Sequence, residues 1–510
     1  MADPNDLEIN YTDEEGVFTC NCSECETELI LYGKDMEPRP LNCDSVDGGC
    51  FETHHLTPMA RRTILDYKVL RCGSCGEEFR LPHNYNFPHK VGRIGRIKSI
   101  LALYNSPDTL EGVYGVIDQL FSNVDMKIVD VVLSAYLTVV NDSDPLWIYL
   151  VGRSGGWKSE ILSSLVGMEN VKVLIDVSKP AFVSAYRGKN GNKVADIGSE
   201  LQGKHTLLLF PDLASLSSKD PREKRDLFAM FRTLYDGKLF RSTGTGEQME
   251  YNDCHVNVLG GITPTAMRED LQAQVQLGTR ELCFGTTEEN SYVTDIEKMR
   301  QAISGQIPKK EIRRILKQTI QGFLLKKIRR FPVGETFNND IDLPEELKEW
   351  LYRQCVLLSY MRASQDIDWY SGEVKGDTDR EVPTRLVIQL RLLYQGLKSL
   401  DPDYSDDRFK SIVRNIVRNS GNKVRYDIYH FLKTVHQQNP DLEYSISDIQ
   451  KELAIGRKIV LSQCGVLVNL GIISIRHELE NHFGKEVLVG HYKYLDPTVQ
   501  LNLEQVVLTC

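Results

Sequence analysis

The sequence predicts a multidomain α/β protein in which a parallel sheet lies between a cysteine-rich segment and helix-rich segments. Three observations favour this class. Strand-like and helix-like runs alternate between residues 146 and 287, as is typical of a parallel α/β sheet. Seven of the twelve cysteines lie between Cys20 and Cys75. Residues 425–500 form a helix-rich unit that ends in two strand-like runs.

Length and composition limit the possible classes. At a prior of roughly 150 residues per domain, 510 residues correspond to about three or four domains. A net charge of −10 argues against a protein that coats nucleic acid over its whole surface, so any such binding must be local. No run approaches the ~20 apolar residues of a membrane span, and the acidic N-terminus lacks the features of a secretory signal. We therefore expect a cytoplasmic protein with no membrane partner.

These patterns divide the chain into five segments. We predict a metal-binding domain at 1–87, a helical linker region at 88–143, an α/β core at 144–290, a mainly helical segment at 291–424 and a C-terminal helical unit at 425–510.

The first segment contains two Cys-x-x-Cys pairs, a spacing with which two thiolates bind one tetrahedral zinc ion. Cys22 and Cys25 form one pair, and Cys72 and Cys75 form the other. The segment resembles a zinc ribbon, although the 46 residues between the pairs exceed the usual spacing. The alternative is disulfides or buried thiols. The candidates for a second site are Cys20, Cys43, Cys50, His54 and His55.

A glycine-rich turn follows the apolar run 146–150 and precedes a helix-like stretch. Glycines let successive N–H groups face a phosphate, and the helix N-terminus adds partial positive charge. In such a P-loop Lys158 contacts the β- and γ-phosphates, and the Ser159 hydroxyl binds Mg²⁺. Trp157 stands where the second glycine of the motif is expected. We predict that ATP is bound by Gly152, Ser154, Gly155, Gly156, Trp157, Lys158, Ser159 and Glu160.

A Mg²⁺ site of this kind needs a carboxylate at the end of a buried strand, and hydrolysis usually needs a second one. The run 206–211 is the best such strand, and it leads to Asp212, which we predict as the metal-side acid. Leu213 occupies the position where a catalytic glutamate is commonly placed. Candidates for the missing carboxylate are Asp220, Glu223 and Asp236.

Two further polar residues are predicted to act on the phosphates. Thr263 ends the strand-like run 255–262 and can contact the γ-phosphate or the attacking water. Arg280 precedes another strand-like run; an arginine can stabilise charge on a transferring phosphoryl group, often from a neighbouring subunit. A surface salt bridge is the alternative for Arg280. Between these parts, a predicted β-hairpin carries Lys238 and Arg241, whose charges suit phosphate contact or simply solvent.

The order of these parts resembles AAA-plus ATPases, particularly the helicase branch that includes the minichromosome maintenance proteins. In that branch a hairpin, a polar sensor and an arginine finger follow one another, here 238–251, Thr263 and Arg280. The chain is also similar to helicase-like ATPases of mobile elements and phages in the short stretches 158–160, 232–237 and 261–264. The resemblance covers about 145–290 and implies a ring-forming ATPase, with Asp212, Thr263 and Arg280 as catalytic residues and a helical lid after the core.

The C-terminal unit resembles a winged helix-turn-helix, with a recognition helix at 457–470 and a wing at 478–486. The N-terminal part of such a helix enters the major groove of DNA. Winged helices that contact only proteins are the alternative. A basic helical run at 309–330 can serve DNA, the nucleotide, a subunit interface or solvent. The predicted DNA contacts on the recognition helix are Arg457, Lys458, Ser462 and Gln463.

The sequence thus indicates an ATP-dependent motor that acts on DNA, a helicase or replication initiator of a mobile element or phage. Its expected cofactors are ATP, Mg²⁺ and Zn²⁺, and its expected partners are DNA and copies of itself. The alternative is a DNA-associated regulator or defence switch that binds ATP with little turnover. Trp157 and Leu213, which depart from the ATPase pattern, favour that alternative.

Overall fold

A computed structural model of the chain describes most of the residues after 105 and part of the N-terminal segment. With side chains, it describes 106–121, 124–139, 144–153, 157–175, 177–183, 196–213, 219–240, 250–267, 280–286, 309–328, 341–365, 367–368, 370, 374–376, 378–478 and 489–495. It describes the backbone alone at 241–242, 248–249, 329, 366, 377, 479–482 and 485–488, and in six N-terminal strands. None of the described helices has the length and apolar character needed to cross a membrane.

The N-terminal strands form two antiparallel sheets. β1 (Ile9–Thr12), β2 (Val17–Asn21) and β3 (Glu28–Tyr32) form the first sheet in that order. β4 (Phe51–Thr53), β5 (Tyr67–Cys72) and β6 (Glu78–Pro82) form the second. Neighbours along the chain pair within each sheet, so β2 and β3, and β5 and β6, are hairpins.

Five parallel strands form the central sheet of the described chain, which confirms a mixed α/β protein. They are β7 (Trp147–Val151), β8 (Val171–Val173), β9 (Lys204–Phe210), β12 (Cys254–Ile262) and β13 (Leu282–Gly285). Their order is β13-β7-β12-β9-β8, and all four pairings are parallel. β10 (Leu239–Ser242) and β11 (Gln248–Tyr251) form a separate antiparallel hairpin. The carboxyl ends of the parallel strands therefore meet at one edge of the sheet.

Successive residues of β7 belong to different cores because side chains alternate along a strand. Ile148 and Leu150 lie in the larger core, and Trp147 and Tyr149 lie in the smaller one. The larger core includes α1 (Leu110–Leu120), α2 (Met126–Val139), α3 (Lys158–Ser163), α7 (Lys309–Arg329), α8 (Glu345–Arg362), α9 (Thr384–Leu400) and α10 (Asp406–Asn419). The smaller core includes α4 (Lys179–Phe182), α5 (Ile197–Leu201) and α6 (Pro221–Tyr235).

The helices of the predicted linker region, 88–143, belong to the main core rather than to a connection. α2 is buried along nearly its whole length and contacts β9, β12 and α9. Helices α7 to α10, from the segment in which a lid was expected, share the same core. The apolar face of a parallel sheet must be covered. Here it is covered by helices that precede and helices that follow the predicted α/β core in the sequence.

One hairpin follows α8 within a segment that the sequence predicts as mainly helical. β14 (Ser364–Ile367) pairs with β15 (Val374–Asp379). Both strands are short and mostly polar, so they lack the apolar alternation by which a strand is recognised in sequence.

The C-terminal unit has a core of its own, to which α8 contributes Met361. It comprises α11 (Lys423–Gln438), β16 (Tyr444–Ser445), α12 (Ile446–Leu453), α13 (Arg457–Asn469), β17 (Ile473–His482) and β18 (Lys485–Tyr494). The Ser445 hydroxyl and the Asp448 carboxylate form a capping box at the start of α12. β17 and β18 form one long hairpin and extend further toward their turn than the predicted strand-like runs.

Candidate nucleotide-binding site

The predicted P-loop begins at the carboxyl edge of the sheet, between two neighbouring strands. The Gly152 N–H donates to the Ile262 carbonyl at 3.0 Å, and the Thr286 N–H donates to the Val151 carbonyl at 2.8 Å. A Cβ atom on Gly152 would lie 1.9 Å from Thr286 Oγ1, closer than any real contact. Any side chain at 152 would therefore require the Thr286 side chain to move. Ser154, Gly155 and Gly156 lie outside the described residues.

Lys158 is buried at the first turn of α3, with 6% of its surface exposed. Its ammonium donates to the Gly152 carbonyl at 2.7 Å and to the Arg153 carbonyl at 2.6 Å. The positive charge is thus held against the start of the loop, where it can contact a phosphate that the loop encloses.

Ser159 lies against the end of the strand that precedes Asp212. Its hydroxyl donates to the Pro211 carbonyl at 3.2 Å, across 52 residues of sequence. Asp212 follows Pro211 directly and is exposed at the same edge of the sheet. A serine hydroxyl and an aspartate carboxylate are both oxygen ligands of the kind that Mg²⁺ prefers. The residues present therefore fit a Mg²⁺ ion held between Ser159 and Asp212.

Trp157 has helical backbone angles, φ −69° and ψ −4°, which any residue can adopt. Its ring packs on Phe121 at the end of α1, with 4.3 Å between centroids. The structure thus accommodates tryptophan at the position of the motif glycine by turning the indole toward α1.

Leu213, at the usual position of a catalytic glutamate, lies inside the protein. It is 2% exposed, and its N–H donates to the Gly261 carbonyl at 2.8 Å. A Cβ on Gly260 would lie 2.6 Å from Leu213 Cδ1, so the leucine side chain fills the space over that glycine. The Leu213 side chain lies in the smaller core rather than in solvent. A carboxylate at this position would be buried among apolar side chains.

The three alternative acids occupy different places. Asp220 caps α6, where its carboxylate accepts from the Arg222 N–H at 2.8 Å, and Glu223 is 3.1 Å from Lys219. Asp236 ends α6 at the opposite edge of the sheet. Asp220 and Glu223 begin the helix that follows the Asp212 edge, so they are better placed than Asp236.

Thr263 follows β12, the strand between β7 and β9. Its hydroxyl accepts from the Ala266 N–H at 3.4 Å, and its carbonyl accepts from the Met267 N–H at 3.0 Å. The side chain thus starts a helical turn at the carboxyl edge. The strand order places it between the elements that carry Lys158 and Asp212.

Glu160, predicted as a nucleotide contact, is engaged with α7. Arg313 donates to both of its oxygens, at 2.7 and 2.8 Å, and the Lys309 ammonium is 3.5 Å away. The hydrogen bond from Arg313 lowers the pKa of the Glu160 carboxyl below its ordinary value. Further along, the Gln321 amide donates to the Ser164 and Val166 carbonyls at 2.8 and 3.0 Å. The sequence analysis missed this contact; the four-residue spacing of polar residues along α7 was the available signal.

Arg280 lies at the opposite edge of the sheet from the P-loop. It precedes β13 by two residues, and Leu282 pairs with Ile148 near the start of β7. At about 3.3 Å per residue, Arg280 is on the order of 20 Å from Gly152. At that distance its side chain cannot reach the P-loop of its own chain.

The β10–β11 hairpin begins beside one of the two basic residues predicted to contact DNA. Lys238 is exposed directly before β10, and Phe240 is 59% exposed, whereas Leu239 between them is buried. The side chain of Arg241, within β10, lies outside the described residues.

Two of the predicted contacts on the recognition helix are wrong, because α13 buries them. Ser462 and Gln463 are each 6% exposed. The Gln463 carbonyl oxygen accepts from Arg425 Nε at 3.0 Å, and the Ser462 hydroxyl donates to the Ile459 carbonyl at 2.9 Å. Arg457 and Lys458 are exposed at the first turn. Of the four predicted DNA contacts, only Arg457 and Lys458 can therefore present their side chains to DNA.

The cysteine pairs fall mostly outside the described residues. Cys72 is the last residue of β5. Cys22, Cys25 and Cys75 lie outside the described residues. Among the residues whose side chains are described, no group of three or more His, Cys, Asp or Glu residues could hold a metal ion.

A comparison with models of known protein families finds no match, and a comparison with curated proteins finds no similar sequence.

Proposed function

We propose that the protein is an AAA-plus ATPase that binds ATP and Mg²⁺ at Lys158, Ser159 and Asp212 and acts on DNA. The observation that carries the proposal is the contact between the Ser159 hydroxyl and the Pro211 carbonyl. It joins the residue after the P-loop lysine to the residue before the predicted acid. A lysine, a hydroxyl and a carboxylate thereby meet at the carboxyl edge of a parallel sheet, where ligands of α/β proteins bind.

The strand order supports the AAA-plus assignment. Counted along the chain, the five strands lie in the order 5-1-4-3-2, so the strand that ends at Thr263 separates those of the P-loop and Asp212. AAA-plus cores share this order. In the proposed mechanism Lys158 binds the phosphates and Thr263 orients the attacking water. Ser159 and Asp212 would hold a Mg²⁺ ion, which would supply charge neutralisation at the phosphates.

Nucleotide binding is tested by calorimetry on the purified full chain with magnesium and the non-hydrolysable analogue AMP-PNP. We expect binding by the wild type, a loss of at least about tenfold in affinity for Lys158→Ala, and wild-type affinity for Lys204→Ala. Lys204 is an exposed lysine at the other end of β9 and serves as the matched control. A wild-type chain that binds no purine triphosphate would contradict the proposal.

The motor and the switch differ in turnover. The burial of Leu213 favours the switch, because no carboxylate can take its place without entering the core. The motor requires another carboxylate to polarise the attacking water, and Glu223 at the start of α6 is the candidate. ATPase rates measured with and without single-stranded DNA separate the two. Strong stimulation by DNA, lost in Lys158→Ala, supports the motor, whereas tight binding without turnover supports the switch.

DNA contact is proposed at the hairpin residues Lys238 and Arg241 and at the first turn of the winged-helix-like unit, Arg457 and Lys458. Each lysine or arginine that contacts a phosphate contributes about one unit to the salt dependence of binding. We therefore expect Lys458→Ala to weaken DNA binding and to reduce the salt slope by about one. Gln463→Ala should leave that slope unchanged, because the glutamine is buried against Arg425.

We propose that the N-terminal segment is a zinc ribbon with Cys22, Cys25, Cys72 and Cys75 as ligands. The support is the Cys-x-x-Cys spacing of both pairs, which suits a tetrahedral zinc ion. Metal analysis of the full chain should find zinc, and Cys72→Ser should lower the amount. Cys254→Ser, a buried cysteine of the central sheet, is the matched control.

A further inference from the structure

The outer side of helix α13 is covered by another part of the chain. Val460, Cys464 and Leu467, spaced by three and four residues, face the core of the C-terminal unit. Ser462 and Val466 lie on the other side of the helix, the side that a recognition helix turns toward DNA. Ser462 is nevertheless only 6% exposed, and Val466 is fully buried although it lies outside that core. A second element therefore buries this side of α13.

The covering element is the β14–β15 hairpin, whose second strand packs against α13. A Cβ atom on Gly465 would lie 2.7 Å from Val374 Cγ2 and 3.4 Å from Val374 Cβ. No side chain of the helix therefore separates its backbone from Val374 at this point. Glycine inside a helix costs about 1 kcal/mol relative to alanine. In α13 this glycine allows the close approach of β15.

Both ends of the hairpin are anchored. Arg425, 4% exposed at the start of α11, donates to the Ala363 carbonyl, directly before β14, at 2.8 Å. Its Nε also donates to the side-chain oxygen of Gln463 at 3.0 Å. At the other end, Arg380 follows β15, and its guanidinium carbon lies 4.6 Å from the Tyr360 ring centroid. One guanidinium group thus joins the base of the hairpin to the middle of α13.

The hairpin is also acidic. Residues 364–379 contain five carboxylates and one basic residue, Lys375, which gives a net charge of −4. The lysine is already paired with Asp368 at 2.6 Å, and Asp379 is exposed. Double-stranded DNA carries one negative charge per about 1.7 Å of its axis and is repelled by such a segment. The hairpin therefore excludes DNA from the outer side of α13 by its volume and by its charge.

We propose that the β14–β15 hairpin is an autoinhibitory cover, which must leave α13 before that helix can enter the major groove of double-stranded DNA. This inference rests on the proposed contact between α13 and DNA. In the closed arrangement only the first turn of the helix, with Arg457 and Lys458, is exposed. The apparent affinity for DNA falls in proportion to the fraction of molecules in which the cover is open. A cover that is open in about one molecule in ten lowers the affinity about tenfold.

The first test removes the cover from the full chain. Ser364 and Asp379 are partners across the hairpin, so an Asn-Gly turn between them can replace residues 365–378. We expect this excised chain to bind a fluorescein-labelled DNA duplex of mixed sequence at least about tenfold more tightly than the wild type. Arg457→Ala combined with Lys458→Ala should remove most of that gain, because the gain depends on contacts made by α13.

The second test holds the cover in place without changing its charge. The distance of 3.4 Å between the Cβ positions of residues 465 and 374 is close to that in a disulfide, about 3.5–4.5 Å. Gly465→Cys combined with Val374→Cys should therefore form a disulfide on oxidation, which peptide mass spectrometry detects. The reduced protein should bind the duplex at least as tightly as the wild type, and oxidation should weaken binding by about tenfold. Val374→Cys alone controls for oxidation of the other cysteines and should not respond.

A third variant guards against an excised chain that does not fold. Val374→Ser keeps the hairpin and its charge but weakens the apolar contact with α13, and we expect a smaller gain in affinity for the duplex. Urea denaturation establishes that each variant is folded before its affinity is compared.

Two outcomes would overturn the inference: a folded excised chain with wild-type affinity for the duplex, or equal affinities of the oxidised and reduced forms of the double-cysteine variant. Either outcome leaves the proposed DNA contact standing if Lys458→Ala still weakens binding by the wild type. If Lys458→Ala has no effect in the wild type or in the excised chain, the DNA contact itself is contradicted and the inference fails with it.

Discussion

The side-chain amide of Asn415 forms both hydrogen bonds that a neighbouring strand would make with Gly285. The Gly285 N–H donates to the amide oxygen at 2.7 Å, and the amide nitrogen donates to the Gly285 carbonyl at 2.8 Å. Two residues earlier on the same edge, the Cys283 N–H donates to the Ser420 hydroxyl at 2.7 Å. Side chains of α10 and the residue after it thus satisfy the outer edge of β13. An unpaired strand edge invites pairing with other chains, and this edge is closed against it.

We expect Asn415→Ala to destabilise the protein by about 1–3 kcal/mol, because it leaves the buried N–H and carbonyl of Gly285 without partners. Urea denaturation should show a lower midpoint with an unchanged slope. Asn469→Ala, at an exposed position in α13, is the control and should change stability by less than about 0.5 kcal/mol. An Asn415→Ala protein as stable as the control would show that water replaces the lost hydrogen bonds.

A second prediction concerns Asp130, which is fully buried in α2. Its carboxylate accepts from Tyr404 at 2.6 Å and Arg408 Nε at 2.7 Å, and Tyr114 donates to its other oxygen. Removing the cation leaves a buried charge uncompensated, so Arg408→Met should cost about 3–5 kcal/mol. Adding Asp130→Asn should recover part of that loss. Denaturation of the single and double variants measures the coupling, and additive effects would contradict it.

The contact between Gly152 and Thr286 predicts a rescue. Gly152→Ala places a Cβ 1.9 Å from Thr286 Oγ1, and we expect it to distort the loop and to abolish detectable AMP-PNP binding. The Thr286 hydroxyl oxygen has no hydrogen-bond partner among the described residues, so its removal costs little. Gly152→Ala with Thr286→Ala should regain affinity, because the nearest remaining threonine atom, Cβ, is 3.2 Å away. Calorimetry of both variants is the measurement, and equal defects would refute the steric explanation.

The Glu160–Arg313 pair should make a pH-dependent contribution to stability. The pKa of Glu160 is lowered in the folded state. The pair therefore contributes fully above the pKa of a glutamate in the unfolded chain, about 4.3, and the contribution is lost as the pH falls through the folded-state pKa. Arg313 is exposed, so we expect only about 0.2–1 kcal/mol at neutral pH and less in high salt. The stability difference between the wild type and Glu160→Gln should therefore shrink below about pH 4. A difference that is constant from pH 7 to pH 3 would contradict this.

The parts of the site that sequence predicts are those encoded by neighbouring residues. Lys158 and Ser159 follow a glycine turn, and Asp212 follows an apolar strand, so both patterns are visible within a short window. The same reasoning failed at Ser462 and Gln463. The apolar spacing of a helix does not show whether the first half of that helix is exposed or covered by a neighbouring element. It missed the pairing of Arg313 with Glu160, whose partners lie 153 residues apart.

By itself the sequence determined the mixed α/β class, the parallel strands and the glycine turn at their edge, because turn chemistry and apolar periodicity act over a few residues. Tertiary structure alone decided the strand order, the use of α2 as core and the closed edge at Gly285. Those features depend on which distant surfaces bury each other, and that choice is made by packing and long-range hydrogen bonds, for which a local pattern has no signal.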